Sequence, residues 1–377
     1  MAWNYRKRIK IIPGVRLNLS KGGISTSIGI RGASLTLGKK GAFVNTGIPG
    51  SGFYSRQKIS SINKTPTTDI TPTQNQYDEP TDNIFSADIQ EITSQDMQGV
   101  KEAIITANEQ RIELKNDLSK IEKSLKASKF KLIASYILII GLVKKSVSEN
   151  IKTDIEAKKN AINQIVEQID NCYVDLDVDF ESEIKTVYDN LVSAFKNLCT
   201  SEKIWDITNS RFEDNRVTRS AASTIVNRKE VRFQIKGIED IKSQSEVLCF
   251  TNANGVDMYF YPNFIVMYNT QEKFALIGID ELQLSYTPVR FVERDSLSRD
   301  TTVVEKTWAK VNRNGTPDRR FKGNYQIPVV LYGQIKLKTN TGVNEEYQFS
   351  NDKFTNQFAS SFLEFQKLVK GLKKISE

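Results

Sequence analysis

The sequence predicts an α+β protein built from four successive segments. Three observations support this class: glycine-rich period-two alternation near the N-terminus, the absence of proline between Pro80 and Pro262, and a return to period-two patterning after about residue 217. The predicted segments are a small basic, glycine-rich all-β module at 1–57, a flexible polar linker at 58–92, a helical hairpin at 93–200 with an apolar tip at 132–143, and a mixed antiparallel β domain with a C-terminal helix at 215–375.

The most restrictive feature of the composition is the absence of histidine from all 377 residues. It excludes Ser-His-Asp and Cys-His nucleophiles, imidazole general bases and histidine-ligated metals. The three cysteines are widely separated and form no Cys-x-x-Cys pair, so neither a disulfide framework nor a zinc site is indicated. The N-terminus lacks a secretory signal pattern. We therefore predict a cytoplasmic, non-enzymatic protein without metal or cofactor; the inner face of the membrane is an alternative location.

The N-terminal module concentrates the positive charge of the chain. Its first 64 residues contain twelve Lys and Arg, and the first acid is Asp69. Because the whole chain is +8, the other residues sum to −4. We expect an anionic partner here, bound less tightly as salt is added. The candidate anion-binding residues of the module are Arg6, Lys7, Arg8, Lys10, Arg16, Lys39 and Lys40.

Four alternating runs in this module predict a meander with glycine turns: VRLNLS, ISTSIGI, ASLTLG and AFVNTGI. The later GIPGSG has neither the lysine of a Walker loop nor a following helix, so it is interpreted as a turn. The stretch IIPGVRLNLSKGGISTSIGIRGASLTLGKKGAFVNTGIPGSGFYS resembles the signature of the bacterial domain of unknown function 4236. The resemblance implies a small all-β module, and it carries over no catalytic or ligand-binding residue.

The third segment has apolar residues at alternating steps of four and three, with Arg111 and Ser128 interrupting the pattern. Such heptads predict an antiparallel coiled coil about 40 Å long that self-associates as a homo-oligomer or binds a protein partner. The predicted seam residues are Val100, Ile104, Ala107, Leu114, Leu118, Ile121, Leu125 and Leu132 in the first arm, and Val147, Ile151, Ile155, Ile162, Ile165, Ile169 and Cys172 in the second.

The tip sequence KLIASYILIIGLVKK is almost wholly apolar between lysines. Twelve helical residues rise only about 18 Å, which is less than the roughly 30 Å of a hydrocarbon core. Packing or oligomer contact, shallow membrane insertion and, least favoured, a transmembrane helix remain open interpretations. The candidate tip residues are Leu132, Ile133, Tyr136, Ile137, Leu138, Ile139, Ile140 and Leu142.

The stretch VDLDVDF follows the hairpin and does not fit a calcium loop, because Phe180 stands where glycine is needed. We predict a short edge strand or an acidic cap. Beyond it, many strand-like runs end in one amphipathic helix, a pattern that resembles a pleckstrin-homology-type barrel. Asn351 is predicted to cap this helix, whose apolar face comprises Phe354, Phe358, Phe362, Phe365 and Leu368.

The most basic loop of the last segment is WAKVNRNGTPDRRFKGNYQIP. Its cations stand among aromatic residues and are candidates for binding an anion or a nucleic acid; alternatively they pair with local acids such as Asp318. These candidates are Arg313, Arg319, Arg320 and Lys322.

A weak nuclease-like arrangement of the PD-(D/E)xK type combines Asp318 with Gln334 and Lys336. Gln334 replaces the second carboxylate and would weaken Mg²⁺ binding. Glu293 or Glu305 could substitute only if the fold placed either one near Asp318.

These features favour a non-enzymatic binding or scaffold protein whose basic module meets an anionic surface and whose hairpin self-associates or docks a partner. A membrane-associated protein anchored through the tip is one alternative. A nucleic-acid-binding protein or weak nuclease is another. No small-molecule substrate is inferred.

Overall fold

The computed structural model describes residues 14–20, 23–30, 33–38, 41–47, 54–59, 81–84, 86–87, 92–94, 97–137, 145–212, 224–271, 273–312 and 314–376. Four helices and nineteen strands lie within these residues. The predicted α+β class is therefore confirmed.

The two longest helices form an antiparallel hairpin. Helix α1 spans Gln98–Ile137 and α2 spans Lys145–Asp170. The antiparallel direction follows from two contacts, since Ser128 of α1 bonds Asp154 of α2, whereas Leu114 packs in one cluster with Cys172 just beyond α2. Long helices are possible here because this stretch contains no proline.

The first turns of α1 differ from the sequence prediction. Val100, Ile104 and Ala107 were assigned to the hairpin seam, but they are buried in the main hydrophobic core of the protein. We call the part of the fold outside the hairpin the body. The start of α1 lies against the body rather than against α2. The apolar part of the seam begins at Leu114.

The strands form three sheets. In chain order they are β1 Gly14–Ser20, β2 Gly23–Ile30, β3 Ala33–Gly38, β4 Gly41–Gly47, β5 Tyr54–Ile59, β6 Thr81–Asn83, β7 Val174–Phe180, β8 Ile204–Phe212, β9 Thr224–Val231, β10 Gln234–Ile235, β11 Ile241–Ser243, β12 Leu248–Phe250, β13 Asp257–Phe260, β14 Phe264–Tyr268, β15 Phe274–Gly278, β16 Gln283–Val292, β17 Thr302–Trp308, β18 Gln326–Lys338 and β19 Asn344–Phe349.

The first sheet joins the N-terminal strands to the middle of the chain in the order β11-β7-β1-β2-β3-β4-β5. Strands β1 to β4 form the predicted antiparallel meander, and β5 extends it as a fifth strand that was not predicted. Strand β1 also pairs in parallel with β7, which pairs in parallel with β11. The VDLDVDF run is thus a strand, as predicted, but not an edge strand, because β1 and β11 lie on either side of it.

The second sheet has the order β10-β12-β13-β14-β15. The third has the order β16-β18-β19-β8-β6, with β17 paired to β18 and β9 paired to β8. Their buried side chains meet helix α3, Ser182–Cys199, and helix α4, Asp352–Ser376, in the main core. Stacked and tilted aromatic pairs join Phe195 to Phe250 and Phe358 across these elements.

Helix α4 closes the domain as the sequence predicts. The Asn351 side chain accepts a hydrogen bond from the Phe354 amide at 3.1 Å, so the predicted cap is confirmed. Phe358, Phe362 and Phe365 are fully buried. Gly333 of β18 permits the close approach of α4, because a Cβ there would overlap the Thr355 side chain.

The end of the predicted linker is bound to the body. Strand β6 pairs with β8, and the Ala87 amide donates to the Gly342 carbonyl at 2.9 Å. Gly342 has φ +115°, and a Cβ there would lie 2.6 Å from that of Ala87, so only glycine fits. This differs from the expectation of a flexible segment up to residue 92, because main-chain hydrogen bonds can hold a polar strand that has no apolar pattern.

Candidate docking site on the helical hairpin

The base of the hairpin is fixed to the body by a buried ion pair. The side chains of Arg111 and Asp240 are 2% and 1% exposed and bond directly to each other. Arg111 also donates to the Cys172 carbonyl at 3.3 Å and to Asn108 Oδ1 at 3.2 Å, and its guanidinium lies 4.8 Å from the Tyr173 ring centroid. We call these five residues the basal cluster. It ties α1, the end of α2 and the segment before β11 together.

An apolar seam follows the basal cluster. Leu114, Ile121 and Ile165 are almost fully buried between the two helices, and Leu118, Ile162 and Ile169 pack against them. These contacts match the predicted positions in both arms. The seam residues are therefore the ones that hold the lower hairpin together.

The seam becomes polar farther from the body. Ser128 donates to Asp154 at 2.7 Å, and the Lys158 ammonium donates to both side chains at 2.7 Å. Burial tends to raise the pKa of Asp154, but the hydrogen bonds from Lys158 and Ser128 outweigh it and the pKa is lowered. We call these three residues the distal polar network. It explains why Ser128 interrupts the heptad pattern.

Apolar side chains near the end of α1 point outward. Phe130, Ile133 and Ile137 are 72%, 57% and 75% exposed. Their spacing of three and four places them on one helical face, which we call the distal stripe. At about 100° per residue they lie roughly 140° to 200° from Ser128, on the side opposite α2. The hairpin does not use them for its own packing.

Lysines surround the distal stripe. Lys123, Lys126, Lys129 and Lys131 are all exposed. Between residues 123 and 148 the sequence contains six lysines and no acid. The same end of the hairpin is thus apolar on its outer face and strongly cationic.

Only four of the eight predicted tip residues are among the described residues. Ile133, Tyr136 and Ile137 are exposed, and Leu132 is half-buried. The remaining candidates, Leu138, Ile139, Ile140 and Leu142, lie outside the described residues. Phe130 was not among the predicted tip residues, although its spacing of three from Ile133 indicates that both lie on the same helical face. Among the helices that the structure describes, none is both long and apolar enough to cross a bilayer.

Among the module candidates, only Arg16 is in the described part of the chain. The parallel register of β1 and β7 places it opposite Asp177. The other six, Arg6, Lys7, Arg8, Lys10, Lys39 and Lys40, lie outside the described residues.

The basic C-terminal loop combines one internal ion pair with exposed cations. Arg320 donates to both carboxylate oxygens of Asp318 at 2.9 and 2.6 Å, and these bonds raise the pKa of the exposed Arg320. Arg319 and Lys322 are exposed, as are Phe321 and Tyr325. Arg313 lies outside the described residues.

The nuclease-like residues bond to different partners. Gln334 bonds to Glu346, and Lys336 pairs with the same carboxylate at 3.0 Å, whereas Asp318 bonds to Arg320. No group of three Asp, Glu, Cys or His side chains suited to a metal ion lies in the described part of the chain.

Glu293 is engaged in a buried cluster that the sequence did not reveal. It accepts from Arg228 and from the Tyr332 hydroxyl, both at 2.6 Å. Burial tends to raise the pKa of Glu293, but these two bonds lower it. The Arg228 guanidinium lies 4.2 and 4.4 Å from the ring centroids of Trp205 and Phe291. Arg228 therefore joins β9 to β8, β16 and β18.

The five-stranded meander can now be compared with known families. Residues 3–56 match a family described as protein of unknown function, DUF4236. This confirms the resemblance that the glycine-rich signature predicted. The DUF4236 region covers β1 to β4 and the first residues of β5, and it contributes β1 as the parallel neighbour of β7. No match was found among curated proteins or among solved structures.

Proposed function

We propose that this chain is a non-enzymatic docking scaffold whose hairpin presents the distal stripe to a partner. The observation that carries the proposal is the outward position of Phe130, Ile133 and Ile137 at the far end of a hairpin whose base is held by a buried ion pair. Exposed apolar groups clustered on one face are typical of interaction sites.

The dimensions of the hairpin support this role. From Arg111 to Ile137 the first helix rises about 39 Å at 1.5 Å per residue. The stripe is therefore held well away from the body. A long arm with an apolar end is suited to contact a surface while the body stays at a distance from it.

The buried acids favour a structural rather than a catalytic role. Burial raises the pKa of Glu345 to about 7, yet this carboxylate accepts a hydrogen bond from Ser86 and thereby holds the end of the linker. Asp206 accepts from the Ala253 amide at 2.8 Å. Shifted carboxylates often mark active sites, but these two bond to segments of the fold.

The DUF4236 region supplies a second, electrostatic contact in this proposal. Its excess of Lys and Arg favours an anionic surface. The pleckstrin-homology-like pattern of the C-terminal strands is part of the same proposal, as a fold suited to hold the two contact regions.

The docking function can be tested by fractionating bacterial cells that produce the tagged full-length chain. We expect the wild type in the particulate fraction and a triple variant, Phe130→Ser, Ile133→Ser and Ile137→Ser, in the supernatant. The matched control replaces three exposed apolar residues of the body, Leu297, Val303 and Val304, by serine. Equal distribution of the wild type and the stripe variant would contradict the proposal.

A second candidate function is nucleic-acid binding through the C-terminal loop. It is favoured by the exposure of Phe321 and Tyr325 beside Arg319 and Lys322, because rings can stack on bases while cations contact phosphates. A gel shift with single-stranded DNA tests it. Arg319→Ala with Lys322→Ala should weaken binding and reduce its salt dependence, whereas the stripe variant should bind like the wild type. The absence of any shift at low salt would exclude this function.

A further inference from the structure

We propose that the partner of the distal stripe is a lipid surface with anionic headgroups. This inference rests on the docking function proposed above and names its partner. It combines two features of the same helical segment, the outward apolar side chains and the lysines around them.

The first step is that, within the described residues, the side chains of the stripe face away from α2 and are mostly exposed. The seam at this height is made by Ser128, Asp154 and Lys158 on the opposite side of α1. Phe130 and Ile137 are about three-quarters exposed. Burying such side chains removes apolar area from water, so the free energy of docking comes from this face.

The second step is the size of the stripe. From Phe130 to Ile137 the helix rises about 10 Å. Interfacial helices bury their apolar face roughly 5–10 Å into the boundary between headgroups and acyl chains. The stripe is too short to cross a bilayer, and its apolar groups lie on one face, as in helices that insert shallowly.

The third step is the position of the charges. Lys123 and Lys126 lie roughly 160° to 220° from Ser128 around the helix and continue the face of the stripe toward the body. Lys129 lies about 100° from Ser128 and borders the stripe. Lys131, in contrast, lies about 60° from Ser128, and its charge acts on Asp154 of α2. Long lysine side chains can bury their methylene stems along the apolar surface and keep the ammonium at the headgroups. Anionic headgroups complement this arrangement.

The charges also argue against the other partners. Two copies of this chain meeting stripe to stripe would bring Lys123, Lys126 and Lys129 of both copies together, and α1 has no acid between residues 123 and 137 to offset them. Aliphatic Ile133 and Ile137 offer neither stacking nor hydrogen bonds to bases, so nucleic acid would leave them in water. A lipid surface provides an apolar phase and negative charge together.

The experiment is co-sedimentation of the purified full-length protein with vesicles. One set contains phosphatidylcholine with phosphatidylglycerol, and the other contains phosphatidylcholine alone. We expect the wild type to bind the anionic vesicles and to bind the neutral ones at least tenfold more weakly. Replacing Phe130, Ile133 and Ile137 by serine should reduce binding to anionic vesicles at least tenfold. The body control at Leu297, Val303 and Val304 should stay within about twofold.

A lysine variant separates the two contributions. Lys123→Gln, Lys126→Gln and Lys129→Gln together should weaken binding by about fivefold per lysine, and this difference should shrink at high salt. All substituted side chains are exposed, and circular dichroism checks that each variant is folded.

Three results would overturn the lipid assignment. They are equal binding by wild type and stripe variant, equal binding to neutral and anionic vesicles, and no vesicle binding by the wild type. If cell fractionation still depends on the stripe in the last case, the docking function stands and its partner is a protein. If fractionation does not depend on it either, both proposals fail.

Discussion

The base and the distal half of the hairpin are built from the same two helices but differ in where their apolar and polar side chains lie. At the base, Arg111 and Asp240 are buried and the seam is apolar from Leu114 onward. In the distal half, the seam contains Ser128 and Lys158, and apolar side chains such as Phe130 face water. The base is organised for internal stability, whereas the distal half leaves its apolar area available for an external surface.

An apolar residue in a heptad-like pattern can therefore have either of two roles: it packs in the hairpin seam, or it is exposed on the outer face. Ile165 is fully buried and stabilises the hairpin, whereas Ile137 is 75% exposed and contributes little to it. The distinction depends on which side of the helix faces α2. The predictions below compare the two halves, from the largest expected effect to the smallest.

The largest effect is expected from the basal ion pair. Arg111→Met leaves Asp240 buried without its counter-charge, and such a loss typically costs about 3–5 kcal/mol. Lys158→Met in the distal half should cost about 1 kcal/mol or less, because the Asp154 side chain is 27% exposed and reaches water. Urea unfolding followed by circular dichroism measures both.

A double variant controls the interpretation of this pair. Adding Asp240→Asn to Arg111→Met removes the buried charge and should recover part of the lost stability. Equal losses for Arg111→Met and Lys158→Met would contradict the contrast between base and distal half.

The next effect concerns apolar side chains in the two halves. Ile165→Ala creates a cavity in the seam and should cost about 2–4 kcal/mol. Ile133→Ala removes an exposed group and should change the free energy of unfolding by no more than about 0.5 kcal/mol. The same unfolding curves give both values. A loss above about 2 kcal/mol for Ile133→Ala would mean that the stripe is packed in solution, which would remove the basis for docking.

The body and the hairpin should also differ in the sign of their pH dependence. Burial raises the pKa of Glu345 from 4.5 to about 7, so its stabilising contribution is fully present below pH 4.5 and is lost as pH rises through 7. Glu345→Gln should therefore stabilise the protein at pH 8, by at most about 3.5 kcal/mol at roughly 1.4 kcal/mol per pKa unit. Thermal unfolding at pH 5 and pH 8 measures the change. A variant that is equally less stable at both pH values would show that Glu345 does not titrate between them in the folded protein, which would contradict the raised pKa.

Local sequence patterns predicted where helices and strands lie better than which distant segments they contact. The seam positions Leu114, Ile121 and Ile165 follow from helical spacing alone. Arg111 was recognised as an interruption, but its partner Asp240 is 129 residues away and no local pattern relates them. The parallel pairing of β1 with β7 joins distant segments in the same way.

The exposed stripe was only partly predictable for a related reason. Apolar residues at steps of three and four indicate one helical face, yet they do not say whether that face meets α2 or water. Ser128 and Lys158 settle this in the structure, because they occupy the side toward the other helix. The candidate residues Ile133, Tyr136 and Ile137 were identified, while their outward direction depended on contacts from the second arm.

The smallest expected effect is a local loss of stability in the distal half of the hairpin at acid pH. The pKa of Asp154 is lowered in the folded hairpin, so its contribution is present above its ordinary pKa of 3.8 and is lost as pH falls through the folded value. Below about pH 4 the hydrogen-exchange protection factors of the amides around Ser128 and Lys158, taken relative to their intrinsic rates at that pH, should fall, while those around Leu114 and Ile165 stay unchanged. Asp154→Asn should abolish this acid response at a cost below about 1 kcal/mol at neutral pH, typical of helix-surface pairs. The matched control is Glu156→Gln, an exposed acid on the same helix that should leave the response unchanged. Loss of protection in both halves at the same pH would show that the hairpin unfolds as one unit, and the separation into a stable base and a loosely held distal half would then be wrong.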